Sequence, residues 1–326
     1  MENEELFESR LDLSEVKDTF DAIQSEIGKI VLGQKKIAEQ LSIALLCEGH
    51  VLIEGLPGVA KTLIAKCLAK TVDAGFSRIQ FTPDLMPSDV VGTMIYNPKS
   101  GEFDFKSGPI FSNVILIDEI NRAPAKTQSS LFECMEERQV TVDGTSYDLE
   151  APFIVIGTQN PVDHEGTYRL PEAQLDRFIF KLTVDYPTLE YEQKILELHQ
   201  NSIHRLDLSN IQKIIDINKL RSIQDTISQV KVKTDILNYI ARIVDETRNN
   251  PNIFLGASPR ASISLLQSAK TLAAVQGRDF VLPDDVREMI VPVLNHRIVL
   301  NPEKEMEGMT NHTALKQIVE KIEVPS

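Results

Sequence analysis

The sequence predicts an α/β fold, a doubly wound parallel sheet over residues 1–187 followed by an all-α domain over residues 188–326. Three observations carry that prediction. Short continuous apolar runs alternate with helical segments in the first part of the chain. A turn rich in glycine and proline joins one of those runs to a helix at 55–62. Beyond Tyr186-Pro187-Thr188 the apolar spacing is helical.

The runs are Val51-Leu52-Ile53, Val114-Ile115-Leu116-Ile117 and Phe153-Ile154-Val155-Ile156. Unbroken apolar stretches of this length suit strands buried on both faces, as in a parallel sheet covered by helices. Helices are expected near 35–47, 62–72 and 125–138, and their alternation with the runs makes the sheet doubly wound. Two hairpins interrupt it. Residues 93–96 and 102–105 flank a turn at 97–101, and residues 139–142 and 145–149 flank Asp143-Gly144, a pair that tolerates positive φ. In the second part Ile236, Ile240, Ile243 and Val244 share one helical face; Leu265, Leu266, Ala269, Leu272 and Ala273 share another. Ser258-Pro259 reads as a helix cap followed by the first helical residue, and Pro283-Asp284-Asp285 opens a helix running to about His296. The polar tail after Asn301 is assigned no element.

A length of 326 residues allows two domains, each with its own core. The formal net charge of −14 argues against non-specific binding of nucleic acid, whose phosphates an acidic chain repels. Cys47, Cys67 and Cys134 form no C-x-x-C pair and read as buried thiols of a reducing compartment. The start, Met1-Glu2-Asn3-Glu4-Glu5, is acidic where a secretory signal is basic, and no apolar run reaches the ~18 residues a membrane helix needs. A cytoplasmic protein without membrane insertion is expected.

The chemistry begins at Gly55-Leu56-Pro57-Gly58-Val59-Ala60-Lys61-Thr62, between strand 51–53 and helix 62–71. Glycines let such a loop wrap its N–H groups around phosphate oxygens, and the helix that follows adds unpaired donors and a favourable dipole. In the general pattern G-x-x-x-x-G-K-[ST] the lysine reaches the β- and γ-phosphates and the hydroxyl holds Mg²⁺. Here those are Lys61 and Thr62. Ala60 stands in place of the last glycine, so the loop must adopt a conformation open to an L-residue. The residues expected to touch ATP are therefore Gly55, Pro57, Gly58, Val59, Ala60, Lys61, Thr62 and Leu63.

The run 114–117 ends in Asp118-Glu119. Adjacent acids at the end of a buried strand are costly unless they act, and carboxyl ends of parallel strands face the ligand crevice. Asp118 is expected to orient Mg²⁺, and Glu119 to polarise the attacking water as general base. The run 153–156 leads to Thr158-Gln159-Asn160-Pro161. Asn160 fits two roles, a neutral donor to the γ-phosphate or its water, and a turn residue before proline. Arg177, in Leu175-Asp176-Arg177-Phe178, suits an arginine supplied to a neighbouring subunit's phosphate. Arg260 sits in the first turn of a helix, where a cation opposes the dipole, and so wants an anionic partner such as bound nucleotide. Asp163-His164-Glu165 reads as a polar loop rather than a metal cluster.

These features stand in the order found in AAA+ ATPases: Walker A, Walker B ending in Asp-Glu, sensor 1 asparagine, arginine finger and sensor 2 arginine in a helical lid. The chain specifically resembles the MoxR group, through 55–62, Asp118-Glu119-Ile120-Asn121-Arg122-Ala123-Pro124, 158–161, Leu170–Phe178 and Gly256-Ala257-Ser258-Pro259-Arg260-Ala261. The likeness spans about residues 19–300, and Ala60 is usual in that group. It implies a P-loop AAA+ sheet with a C-terminal lid, Asn160 as sensor 1, Arg177 rather than Arg169 as finger, and Arg260 as sensor 2. It further implies that Gly33-Gln34 lies beside the adenine with Ile30 and Val31 as apolar walls. The hairpin at 93–105 resembles the pore-facing insertion of the helix-2-insert clade. A ring, most often a hexamer, with active sites shared between subunits is implied, as is chaperone-like remodelling of proteins, including partners with a von Willebrand factor A domain. The competing readings are a nucleotide-dependent switch or scaffold that barely hydrolyses, a small-molecule kinase and a DNA-remodelling motor.

Overall fold

Strands buried on both faces must satisfy their main-chain polar groups within the sheet, and the apolar runs do so as parallel neighbours. The computed structural model describes residues 11–56, 58–160, 168, 170–200 and 208–325. Pro57, Pro161, Asp163-His164-Glu165, Arg169 and the acidic start 1–5 lie outside the described residues.

In chain order the elements of the first part are α1 (Ser14–Gly28), α2 (Lys35–Leu46), β1 (His50–Gly55), α3 (Lys61–Thr71), β2 (Phe76–Gln80), α4 (Pro87–Val91), β3 (Gly92–Asn97), β4 (Glu102–Ser107), β5 (Val114–Asp118), α5 (Ala125–Glu137), β6 (Gln139–Val142), β7 (Thr145–Asp148), β8 (Ile154–Gln159), α6 (Glu172–Leu175), β9 (Phe178–Val184) and α7 (Leu189–Gln200). Among the described residues β2, β5, β8, β1 and β9 form one sheet in that spatial order, every pair parallel. β3–β4 and β6–β7 are separate antiparallel hairpins. The three apolar runs supply the three central strands. The flanking strands β2 and β9 are additions to the sequence reading.

One face of the sheet packs on α4 and α5. Leu52, Ile115, Ile117 and Val155 meet Leu131, Phe132 and Met135 there, and the rings of Phe132 and Phe178 meet edge-on at 6.0 Å. Each large apolar side chain so buried contributes about 1.5–3 kcal/mol.

Packing divides the chain into two units, Ile23–Asn218 and, separately, Lys219–Ser326 with the residues up to Ala22. This differs from a boundary at 187. The stretch 208–216 stays with the sheet because its main chain is tied there: the N–H groups of Ile214 and Ile215 donate to Thr71 O at 2.8 and 3.2 Å, and Gln212 N–H donates to Glu26 Oε2 at 3.1 Å.

The second part continues with α8 (Ile217–Ser228), α9 (Thr234–Asn249), β10 (Ile253–Leu255), α10 (Pro259–Val275), α11 (Pro283–Leu294), β11 (Val299–Leu300), α12 (Pro302–Met306) and α13 (Asn311–Lys321). Ile236, Ile240, Ile243 and Val244 of α9 are buried, as are Leu265, Ala269, Leu272 and Ala273 of α10, while Leu266 is half-buried. The helical unit also carries a two-stranded ribbon, β10 with β11, in which Ile253 and Leu300 pair with their side chains buried. The polar tail is helical because Ala314, Leu315 and Ile318 give α13 an apolar stripe to bury.

Candidate active site

The carboxyl ends of β1, β8 and β5 lie side by side, since the strands are parallel neighbours. Glu54 is level with Gln159, and Ile117 with Gly157. Open α/β sheets take ligands at such an edge, where the loops after the strands converge.

The loop after β1 is shaped by its small residues. A Cβ at Gly55 would lie 2.7 Å from Val184 O, so no larger residue fits against β9. Gly58 has φ 87°. Ala60 has φ 62° and ψ 18°, a left-handed conformation that costs a non-glycine residue about 1–2 kcal/mol. Val59 is buried. Helix α3 starts at Lys61, so the main-chain N–H groups of Lys61, Thr62 and Leu63 fall in the turn where a helix leaves its donors unpaired within itself. All three residues are half-buried. The Lys61 ammonium donates to Gly55 O at 2.6 Å, folding back over its own loop.

Opposite stand the two acids. Asp118 is 8% exposed and ends β5. Its Oδ2 accepts from Arg78 Nε at 2.6 Å, and its Oδ1 from Thr158 Oγ1 at 3.4 Å. Glu119 follows in a left-handed conformation, φ 57° and ψ 52°. Its N–H donates to Thr158 Oγ1 at 3.1 Å. Its Oε2 accepts from Gln80 Nε2 at 2.9 Å and lies 3.2 Å from Arg122 Nε. Thr158 opens the Thr158-Gln159-Asn160-Pro161 signature, to which the sequence reading gives a role only at Asn160, and nothing in the linear sequence marks Arg78 or Gln80; these residues reach the acids across strands, Gln80 being level with Asp118 across β2–β5.

Asn160 comes directly after β8, at the same edge and half-buried. Beside it Gln159 Nε2 donates to Glu54 Oε1 at 2.7 Å, and Lys181 Nζ lies 2.8 Å from Glu54 Oε2. On the far side of β1, Gln34 Nε2 donates to Asp185 O at 2.9 Å, just past the end of β9. That bond brings the segment before α2 to the rim of the loop. Val31 is buried there, and Gly33 has φ 77°, with the Tyr191 ring so close that a Cβ would meet it at 3.0 Å.

Within the sheet unit, Arg177 is not brought to this edge. Arg177 precedes β9, and Phe178 is level with His50, so it lies at the amino end of the sheet. Its Nε is 3.3 Å from Glu136 Oε2, and its Nη1 donates to Ala173 O at 3.1 Å. Arg260 belongs to the helical unit, where it is exposed in the first turn of α10. Its N–H donates to the hydroxyl of the capping Ser258 at 3.2 Å.

Thr62 and Asp118 offer oxygen donors only, which suits a hard cation such as Mg²⁺. Among the described residues no group of three or more His, Cys, Asp or Glu could hold a metal ion. No helix among the described residues is long and apolar enough to cross a membrane.

Comparison with known proteins bears on this geometry. The model of the ATPase family associated with various cellular activities (AAA) matches residues 50–180, and an AAA lid domain model matches residues 245–321. An uncharacterized Bacillus subtilis protein, YeaC, is 45% identical over 299 residues, which are 92% of each chain. Chaperone MoxR1 of Mycobacterium tuberculosis is 42% identical over 92% of this chain and 81% of its own. A crystal structure from Cytophaga hutchinsonii, of a protein described as a candidate ATPase, superposes with a TM-score of 0.89 at 43% identity, covering 96% of this chain and 97% of that one.

Proposed function

The chain belongs to the MoxR group of AAA+ ATPases, and from that premise we propose that it hydrolyses ATP with Mg²⁺ to remodel partner proteins, working as a ring whose active sites are shared between subunits. One observation carries the catalytic part: a phosphate loop and an Asp-Glu pair stand at the same edge of one parallel sheet, separated only by β8.

In this reading the main-chain N–H groups from Gly58 to Leu63 receive the phosphates, and Lys61 exchanges Gly55 O for a β- or γ-phosphate oxygen. Thr62 and Asp118 would hold Mg²⁺, which would supply positive charge against the phosphates. Glu119 takes the proton of the attacking water, and Asn160 donates a hydrogen bond that orients that water or the γ-phosphate. Val31 and Gly33 flank the adenine. The sheet order supports that placement. Glu119 and Asn160 lie on the β8–β5 side of β1, so the γ-phosphate points that way and the nucleoside leaves towards β9. Arg177, at the opposite end of its own sheet, serves the site of the next subunit. Arg260 is assigned the sensor 2 role.

The remodelling part draws on the name of the M. tuberculosis relative and on one surface feature. Ile95, Tyr96 and Phe103 of the β3–β4 hairpin are 45%, 53% and 64% exposed. Tyr96 and Phe103 pair across the hairpin with their rings 5.4 Å apart, and exposed apolar side chains of this kind suit a surface that meets another protein. Partners with a von Willebrand factor A domain are the class to test first, with the chain as a hexamer in the cytoplasm.

Steady-state phosphate release tests the reading, on wild type, Glu119→Gln and Arg177→Ala, alongside sedimentation in ATP. Expected are a nucleotide-dependent ring, little turnover in Glu119→Gln, and recovery of turnover when Arg177→Ala is mixed with Glu119→Gln, since mixed rings pair an intact site with an intact finger. Turnover in Glu119→Gln equal to wild type removes the general base. Absence of recovery on mixing removes the shared site.

A further inference from the structure

We propose that Thr158 is the positioning residue of the acidic pair, its single hydroxyl fixing the main chain of Glu119 and steadying the carboxylate of Asp118. The inference rests on the ATPase reading of this edge and adds to it a residue with no assigned role.

Glu119 carries the strain. A non-glycine residue at φ 57° and ψ 52° stays there only when its surroundings over-determine it. The conformation matters because it turns the chain sharply after β5, sending the Glu119 side chain back to Gln80 rather than onward with the strand. Phe81 N–H donates to Asp118 O at 3.0 Å and Arg122 N–H to Glu119 O at 2.8 Å, and a side chain also holds the turn, through the bond from Glu119 N–H to Thr158 Oγ1, 3.1 Å long. A threonine hydroxyl has one proton and two lone pairs. A lone pair takes the Glu119 N–H, and the proton is directed at Asp118 Oδ1, 3.4 Å away. One side chain thus joins both acids.

The scaffold behind that hydroxyl is rigid. Thr158 is 2% exposed and sits in β8, with Ile53 of β1 level with it. Its β-branched side chain has few rotamers to choose from. Asp118 is held from its other oxygen by Arg78, so the carboxylate is fixed at both ends. Buried polar groups are normally paired, and pairing here accounts for a hydroxyl inside an apolar strand. It also gives the hydroxyl a use that bare strand propensity does not.

The test uses the full chain. Thr158→Val keeps shape and strand propensity but removes the acceptor and the donor; Thr158→Ser keeps the hydroxyl; Thr158→Ala removes it without an added methyl. Expected for Thr158→Val and Thr158→Ala is a fall in kcat of about 10- to 100-fold, the scale of a displaced catalytic group, with nucleotide affinity within about twofold of wild type. Thr158→Ser should keep at least about half of wild-type kcat, as a conserved hydrogen bond implies. In the Glu119→Gln background Thr158→Val should cost less than about threefold, because residues acting through one another are not additive. The proposal is overturned by a kcat for Thr158→Val within threefold of wild type, by equal losses in Thr158→Ser and Thr158→Val, or by an undiminished loss in the Glu119→Gln background. Should Thr158→Val fail to fold, the Thr158→Ser and Thr158→Ala pair decides on the same criteria. Absence of nucleotide binding and turnover in wild type would instead sink the ATPase reading itself.

Discussion

Acidification should weaken the sheet unit through one buried histidine. His50 opens β1 and is 6% exposed. Its Nδ1 accepts from Val155 N–H at 3.0 Å, which leaves the proton on Nε2, facing Met135 O at 3.2 Å. The ring meets Phe153 edge-on at 5.5 Å. Burial pushes the imidazole down to about 4 and outweighs the Met135 carbonyl, which favours the charged form; Arg138 adds a smaller push downward. Protonation would also set a second N–H against Val155 N–H. The sign follows from the direction of the shift. The unfolded chain binds this proton below about 6.5, the folded chain only near 4, so the stabilisation is complete above 6.5 and lost as pH falls between the two. At 1.36 kcal/mol per unit the loss is about 2 kcal/mol between pH 7 and pH 5 and about 3 kcal/mol by pH 4. His50→Gln offers an amide in place of the ring and does not titrate. Urea unfolding of both proteins from pH 7 to pH 4, followed by circular dichroism, gives the comparison, and carboxylates common to the two cancel. The wild type should lose stability relative to His50→Gln by the stated amounts. A difference between the two that stays constant across that range refutes the argument.

Other perturbations have equally defined outcomes. Glu119→Gln should retain nucleotide binding, measured by titration with a fluorescent ATP analogue, while phosphate release falls by about 10²–10⁴-fold, the usual contribution of a general base. Ala60→Gly should leave turnover within about twofold, since glycine accepts the left-handed conformation, whereas Ala60→Val should weaken nucleotide binding and lower stability by more than about 1 kcal/mol because a β-branched side chain is strained there. In the helical unit Asp285 is 3% exposed, is bound by both terminal nitrogens of Arg278 at 2.5 and 2.8 Å, and accepts from Leu282 N–H at 2.7 Å. Arg278→Ala leaves that buried carboxylate without its cation and should lower the unfolding free energy by about 3 kcal/mol, read as a shifted urea midpoint.

How much of this was legible in the sequence follows from which residues are buried on both sides. β1, β5 and β8 announce themselves because nothing polar interrupts them, and their order with the helices was enough to place them in one sheet. β2 does not, since Phe76-Ser77-Arg78-Ile79-Gln80 is an edge strand with mostly accessible side chains and reads as loop. β9 had a visible signal in Phe178-Ile179-Phe180, but Lys181 and Thr183 break the run. The hairpins were legible from turn chemistry. The division after Asn218 was not, because it depends on main-chain bonds from Ile214 and Ile215 to a helix end far away in sequence. The same limit applies at the site. Motif spacing marks residues that are fixed along the chain, such as Lys61-Thr62 and Asp118-Glu119. Arg78, Gln80 and Thr158 reach those acids across strands, and no spacing along the chain encodes a register.

The contacts around these groups also bear on how tightly nucleotide can be held. Lys61 is bonded to Gly55 O, Asp118 to Arg78 and Thr158, and Glu119 to Gln80, with Arg122 at ion-pair distance. The buried carboxylate of Asp118 needs such partners most, for an unpaired buried ion is far costlier than a paired one, while Glu119 and Lys61 keep some access to water. In the proposed reaction the substrate therefore meets groups already satisfied by the chain, and Lys61 must give up one hydrogen bond to make another. An exchanged hydrogen bond is worth about 1 kcal/mol net, not the several it would be worth against nothing. Affinity must then come mainly from the main-chain donors at the start of α3, which the helix itself leaves unpaired, while the paired side chains contribute geometry. That division of labour explains how a substitution such as Thr158→Val can be expected to change turnover and spare binding: in the proposed reaction the hydroxyl acts on the arrangement of the acids, and the phosphates are gripped on the other side of β8.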